Sequence, residues 1–136
     1  MRVEGSCHCG RIQYEAEVDA AKVGVCHCTD CQVLTGSAFS MFAPVPKAAF
    51  RLITGQPKIY VKTAESGNRR AQAFCPECGS RLYAAAEVDP PMFNLRVGTV
   101  RARAELPPKV QFWCRSALPW VTALNSVQAL PTQPGA

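Results

Sequence analysis

Hydrophobic and polar residues alternate most clearly between positions 11 and 18. Ile12, Tyr14, Ala16 and Val18 occupy one set of positions; Arg11, Gln13, Glu15 and Glu17 occupy the other. Successive side chains on a strand point to opposite faces, so this pattern predicts a strand with one buried face. Shorter runs bounded by turn residues predict further strands at 37–42, 58–62, 71–74, 81–85, 93–97 and 110–114. Between them fall turn formers: Pro44 and Pro46, Gly55 with Pro57, Gly67-Asn68, Asp89-Pro90-Pro91, and Pro107-Pro108. Thr29 is placed to cap a short helix running to Leu34, with Gly36 as its stop, and Ala48 to Phe50 suits a second turn. No long segment keeps a 3.6-residue period. The expected fold is mainly β, built from small antiparallel sheets with short helical turns. It forms one domain over residues 1–126, and residues 127–136 are expected as a flexible tail.

Composition narrows this picture. A chain of 136 residues, 48% hydrophobic, supports one domain with a modest core. No window approaches the roughly 18 uninterrupted apolar residues of a membrane span. The opening MRVEGSCHCG has no apolar stretch of the kind that directs export. A cytoplasmic location and no membrane association are therefore expected. Eight cysteines then need a use other than structural disulfides, because reducing compartments do not sustain them.

Seven of the eight cysteines form three clusters: Cys7-His8-Cys9, Cys26-His27-Cys28-Thr29-Asp30-Cys31, and Cys75-Pro76-Glu77-Cys78-Gly79. A C-x-C pair on extended backbone presents both sulfurs on one face. A C-x-x-C pair closed by glycine makes a tight knuckle, since glycine tolerates the left-handed backbone that follows it. Zinc takes four such ligands in a tetrahedron. If no cluster is divided, one partition completes a four-sulfur set: Cys7 and Cys9 with Cys75 and Cys78. Cys26, Cys28 and Cys31 remain as a three-sulfur set. Closed four-ligand zinc sites are structural, whereas three protein ligands with an open position are the catalytic arrangement. Two zinc ions per chain are expected, the three-ligand one being labile.

Other readings stand beside this one. Tetrahedral thiolates also suit iron. A thioredoxin-like role for Cys75 and Cys78 is weak, because no βαβ pattern surrounds them. His27 or Cys114 would complete the three-sulfur set as a second structural site. Alternation instead turns His8 and His27 away from any metal held by their flanking cysteines. Cys114 lies in an apolar run and is expected as an inert core residue.

The formal charge is +5. Seven thiolates and two divalent ions would bring it to about +2, which weakens any argument from bulk charge for a nucleic-acid partner. Arg96, Arg101, Arg103, Lys109 and Arg115 lie close in sequence and offer a basic face to a non-enzymatic binding module. No basic tail or interleaved aromatic platform accompanies them, and nucleic acid is not the expected partner.

GSCHCG at 5–10, CHCTDC at 26–31, CPECGS at 75–80 and the late Pro119-Trp120 together resemble the glutathione-dependent formaldehyde-activating enzyme family, which includes centromere protein V-type proteins. The resemblance runs from Gly5 to Trp120. It implies a β-tent fold, a structural zinc on Cys7, Cys9, Cys75 and Cys78, and a catalytic zinc on Cys26, Cys28 and Cys31. The implied activity is a carbon–sulfur lyase type: glutathione joins formaldehyde to give S-hydroxymethylglutathione. Family members often carry histidine where this chain has Gln111, and glutamine cannot transfer protons, so another thiol substrate is an open alternative. Asp30 or water would supply the proton. Arg69, Arg70, Arg81, Arg96 and Arg115 are candidates to receive glutathione's carboxylates.

Overall fold

In the computed structural model, which describes residues 1–135, ten strands form two sheets and one α-helix follows the third strand. Three strands, β1 (Arg2–Ser6), β2 (Gln13–Glu17) and β5 (Phe50–Thr54), make an antiparallel sheet in the order β1-β2-β5. The larger sheet has seven strands in the order β10-β3-β4-β9-β8-β7-β6. Its members are β3 (Gly24–Cys26), β4 (Ser40–Pro46), β6 (Lys58–Thr63), β7 (Arg69–Phe74), β8 (Arg81–Ala86), β9 (Met92–Arg96) and β10 (Val110–Phe112). The helix α1 (Thr29–Thr35) follows β3. The expected mainly β, single-domain fold with short helical turns is what forms. One pairing departs from the antiparallel expectation: β10 runs parallel to β3 at the sheet edge.

The alternation at 11–18 has its expected outcome. Ile12, Tyr14, Ala16 and Val18 are all buried. On the larger sheet the same rule sorts side chains between two faces. Val25, Ala43, Val45, Ala71, Ala73, Ala85 and Leu95 turn inward and are buried. Aromatic contacts lock the two sheets together. Phe50 of β5 meets Tyr83 at 5.5 Å and Phe93 at 5.0 Å between ring centroids, and Tyr14 of β2 meets Phe50 at 5.4 Å. Such pairs add to the burial of their area. The Tyr14 hydroxyl is satisfied by Thr99 Oγ1 at 2.9 Å. Gly5 leaves room for that ring: a Cβ there would overlap Tyr14.

Several local expectations shift. The strand expected at 37–42 begins at Ser40 and runs on through both prolines to Pro46. β3 pairs only with Ser40–Phe42, so Pro44 lies where β4 has one neighbour instead of two, a position that tolerates the missing N–H. The helix is capped by Cys28 instead of Thr29, its Sγ accepting from the Cys31 N–H at 3.2 Å, and Gly36 ends it with φ 62°. The last strand stops at Phe112 because Trp113 adopts a left-handed conformation, φ 58°. Cys114 therefore sits exposed in a 3-10 turn, not in the core as expected. Strands β1, β3 and β5 were not among the expected ones. Of the expected tail, Ala136 lies outside the described residues.

Tyr14→Ala is expected to destabilise the fold by about 3–5 kcal/mol and Tyr14→Phe by about 1 kcal/mol, through lost burial and a lost hydrogen bond respectively. Urea unfolding of both variants checks this. Equal losses would show that the ring is not what joins the sheets.

Candidate metal centres

The four-sulfur set forms where two hairpin connections meet. Cys7 and Cys9 lie in the β1–β2 connection; Cys75 and Cys78 lie in the β7–β8 connection. The first turn is closed by Gly10 N–H donating to Cys7 O at 3.2 Å, with Gly10 at φ 82°. The second is closed by Gly79 N–H donating to Cys75 O at 2.8 Å, with Gly79 at φ 78°. Ser80 binds the two turns together: its Oγ accepts from His8 N–H at 2.9 Å and lies 3.2 Å from Cys78 Sγ. All four sulfurs lie within 4.8 Å of one another, with Cys7–Cys9 at 3.6 Å and Cys9–Cys75 at 3.8 Å. A tetrahedral ion with bonds of about 2.3 Å to sulfur requires sulfur–sulfur edges of about 3.8 Å, so the donor set fits zinc in both chemistry and spacing.

The second group forms where β3 runs into α1. Cys26 ends the strand, Cys28 caps the helix and Cys31 lies in its first turn. Their sulfurs also fall within 4.8 Å of one another. Neither His27 nor Cys114 joins them. His27 is buried and turned to the other side, where its Nε2 pairs with Gln111 Oε1 at 2.9 Å. His8 is exposed. Gln111 pairs with Val25 in the ladder and shares its face, away from Cys26. Gln111 is therefore directed away from the sulfurs and serves the buried His27 instead.

Beside the three sulfurs opens a cavity of about 650 Å³. Its floor is the face of the larger sheet opposite the core. Ladder partners repeat that face from strand to strand: Phe112 opposite Cys26, Phe42 opposite Arg96, Asn94 opposite Ala84, Ala84 opposite Gln72, and Lys62 opposite Arg70. Every one of these side chains lines the cavity. Two ion pairs tie the β6–β7 hairpin to the opposite rim, Lys62–Asp30 at 2.8 Å and Arg115–Glu65 at 2.8 Å.

Electrostatics differ from sulfur to sulfur. Cys31 is held down at about 5, first by its hydrogen bond with Cys26; burial opposes this, while the Ser40 hydroxyl, Cys28 and the positive charge of Arg96 reinforce it. The same bond, with burial, pushes Cys26 up. Burial also raises Cys28. In the other set the Ser80 hydroxyl is the chief cause that holds Cys78 down at about 5. The Arg11 backbone favours the Cys9 thiolate, but desolvation and the neighbouring sulfurs outweigh it and push Cys9 up to about 11.

Of the five arginines considered from sequence, Arg70 and Arg96 line the cavity. Arg69 pairs with Glu87, Arg81 donates to Gln72 Oε1 at 3.0 Å, and Arg115 pairs with Glu65 at the rim. The five residues offered as a basic face are dispersed: Arg96 is in the cavity, Arg101 pairs with Glu4, and Arg115 with Glu65. Lys62, Ser40, Gln72 and Asn94 were missed. The signal available was their alternation, but polar residues on one face of a strand read first as solvated.

The family model described as glutathione-dependent formaldehyde-activating enzyme matches residues 2–116. An uncharacterized lyase of Schizosaccharomyces pombe is 29% identical over 60% of this chain and 56% of its own length. Proteins named "Putative glutathione-dependent formaldehyde-activating enzyme" from Penicillium rubens and Emericella nidulans are 30% and 29% identical over 65% of this chain, and 47% and 45% of their own lengths. The chain thus spans about half the length of the curated relatives it matches. A solved structure of a Rhodobacter sphaeroides protein superposes with a TM-score of 0.57 at 20% identity, covering 72% of this chain and 87% of that one, and shares the fold.

In metal-free, reduced protein at pH 7, iodoacetamide is expected to alkylate Cys78 well before Cys9, although Cys9 is the more exposed. The thiolate is the nucleophile: a thiol held at about 5 is ionised at pH 7 and one at about 11 is not, and the Cys78 rate falls as pH drops through about 5. Mass-spectrometric mapping reads the order; alkylation that follows exposure would contradict it. Gln111→Leu removes the acceptor of His27 and is expected to cost about 1 kcal/mol of stability while leaving the alkylation order of Cys26, Cys28 and Cys31, with Cys31 first, unchanged. A changed order would place Gln111 in contact with the sulfurs.

Proposed function

The chain belongs to the glutathione-dependent formaldehyde-activating enzyme family, and from that premise we propose that it joins the glutathione thiol to formaldehyde to give S-hydroxymethylglutathione. In this reading Cys7, Cys9, Cys75 and Cys78 hold a structural zinc, and Cys26, Cys28 and Cys31 hold a catalytic one. The observation that carries it is the contrast between the two sulfur groups. One is a complete set of four at the junction of two turns; the other is a set of three, with no fourth protein ligand among the described residues, beside a 650 Å³ cavity.

Zinc held by three cysteines would supply Lewis acidity at an open coordination position, lowering the pKa of a thiol that enters it. The chain's own residues set the rest. Cys28 takes the N-cap role and Cys31 the first turn of α1, so the helix start holds both sulfurs in place. The cavity is large enough for a tripeptide and lies beside those sulfurs. In the reaction the carbon–sulfur bond forms between the thiol sulfur and the carbonyl carbon. The thiol proton leaves, and the former carbonyl oxygen gains a proton from water in the open cavity.

Elemental analysis of protein prepared with zinc and without chelator is expected to find two zinc ions per chain. Cys28→Ser is expected to retain one and to lose glutathione-dependent formaldehyde consumption to the uncatalysed background. Cys9→Ser is expected to lose the other zinc ion and to lower the denaturant midpoint of unfolding, since binding of a structural zinc is linked to folding. Equal formaldehyde consumption with and without wild-type protein would overturn the activity; loss of both zinc ions in Cys28→Ser would overturn the division of labour.

A further inference from the structure

The cavity floor carries a charge imbalance. Four cationic or anionic side chains at its edge are matched: Lys62 with Asp30, and Glu65 with Arg115. Arg70 and Arg96, both half-buried, have no carboxylate partner among the described residues. The nearest polar anchor of Arg96 is neutral: Gln72 Oε1, buried, accepts from Arg81 Nη2 at 3.0 Å and lies 3.5 Å from Arg96 Nη2. Arg81 is otherwise occupied, over the Phe74 ring at 5.9 Å and outside the cavity.

A withdrawn guanidinium without a counter-charge is costly, and two on one face repel each other. Burial pushes Arg96 down from its usual range, the negative charge of Cys31 opposes that, and Arg81 and Arg70 add repulsion. The three thiolates of Cys26, Cys28 and Cys31 supply part of the missing negative charge. A divalent ion among them would cancel most of it, leaving about −1 against the guanidiniums of Arg70, Arg81 and Arg96, none of which pairs with a carboxylate among the described residues. The shortfall is one that an anionic ligand in the cavity would fill. Arginine's planar fork suits the two oxygens of a carboxylate.

We propose that Arg70 and Arg96 form a carboxylate-binding subsite on the cavity floor, so that the thiols this protein accepts are those carrying a carboxylate. In the order of the sheet Arg96 stands on β9, between β3, which ends in Cys26, and β7, which carries Arg70. A ligand whose sulfur is at the cysteines then lays its carboxylate across the two guanidiniums, with Gln72 holding Arg96 in place. This subsite rests on the thiol-binding reading of the cavity but not on the reaction that follows.

The test is calorimetric titration of zinc-loaded protein with glutathione and with glutathione diethyl ester, without formaldehyde. The two ligands share the thiol and differ at the carboxylates. Wild-type protein is expected to bind glutathione about tenfold or more tightly than the ester, the scale of a charge-assisted hydrogen bond. Arg70→Gln and Arg96→Gln are each expected to shrink that ratio toward one by weakening glutathione alone. Equal binding of the two ligands by wild-type protein overturns the subsite, as does failure to bind either; that comparison needs no variant to fold. Substitutions that weaken both ligands equally also overturn it. Discrimination without any formaldehyde consumption would sink the proposed reaction and leave the subsite standing.

Discussion

A side chain on a strand has only two faces to choose between, and in the seven-stranded sheet that choice separates core from cavity. Leu95 faces inward and is buried, while Asn94 and Arg96 on either side of it line the cavity. Ala71 is buried in the core between Arg70 and Gln72, which face the cavity. A one-residue slip in any of these strands would send an arginine into the core and an alanine or leucine onto the floor. The three sulfurs depend on the same rule, since Cys26 reaches the cavity only because Val25 does not. The aromatic contacts of Tyr14, Phe50, Tyr83 and Phe93 hold this register by filling the space between the sheets.

Much of this was legible in the chain. Alternation identified the buried side of β2. Counting cysteines, under the rule that no cluster is divided, arrived at the two sulfur groups that the fold brings together. Gly36 and Gly79 announced the ends of a helix and a knuckle because a left-handed backbone is required there. What escaped was short or depended on partners distant in sequence. β3 has only three residues, too few for a periodic signal, and owes its existence to β4 and β10 on its flanks. β1 and β5 are strands by virtue of β2 between them. Pro44 looked like a turn because nothing in the chain reveals that β3 ends before it.

The arginines show the same limit. Arg69 and Arg70 are adjacent and chemically identical, yet one pairs with Glu87 outside and the other lines the cavity. Only the parity of their positions on β7 separates them, and parity has meaning only once the inner face is known. Gln111 is a similar case. Its distance in sequence from the cysteines is bridged by the parallel pairing of β10 with β3, which aligns it with Val25 and so aims it at His27.

The two sulfur groups also differ in how far along the chain they reach. Cys26 to Cys31 are neighbours, assembled by a strand end and one helical turn, whereas Cys9 and Cys75 are 66 residues apart. Loop closure disfavours the longer connection, and its sulfurs cannot meet until both hairpins have formed and the sheets have docked. On a ribosome, Cys7, Cys9, Cys26, Cys28 and Cys31 emerge before Cys75 exists. In the proposed two-ion reading, an ion arriving during synthesis meets five sulfurs whose final grouping is undecided, and its sorting becomes a matter of timing: the middle cluster must close on itself, or exchange its ion, before the β7–β8 hairpin delivers Cys75 and Cys78 to Cys7 and Cys9.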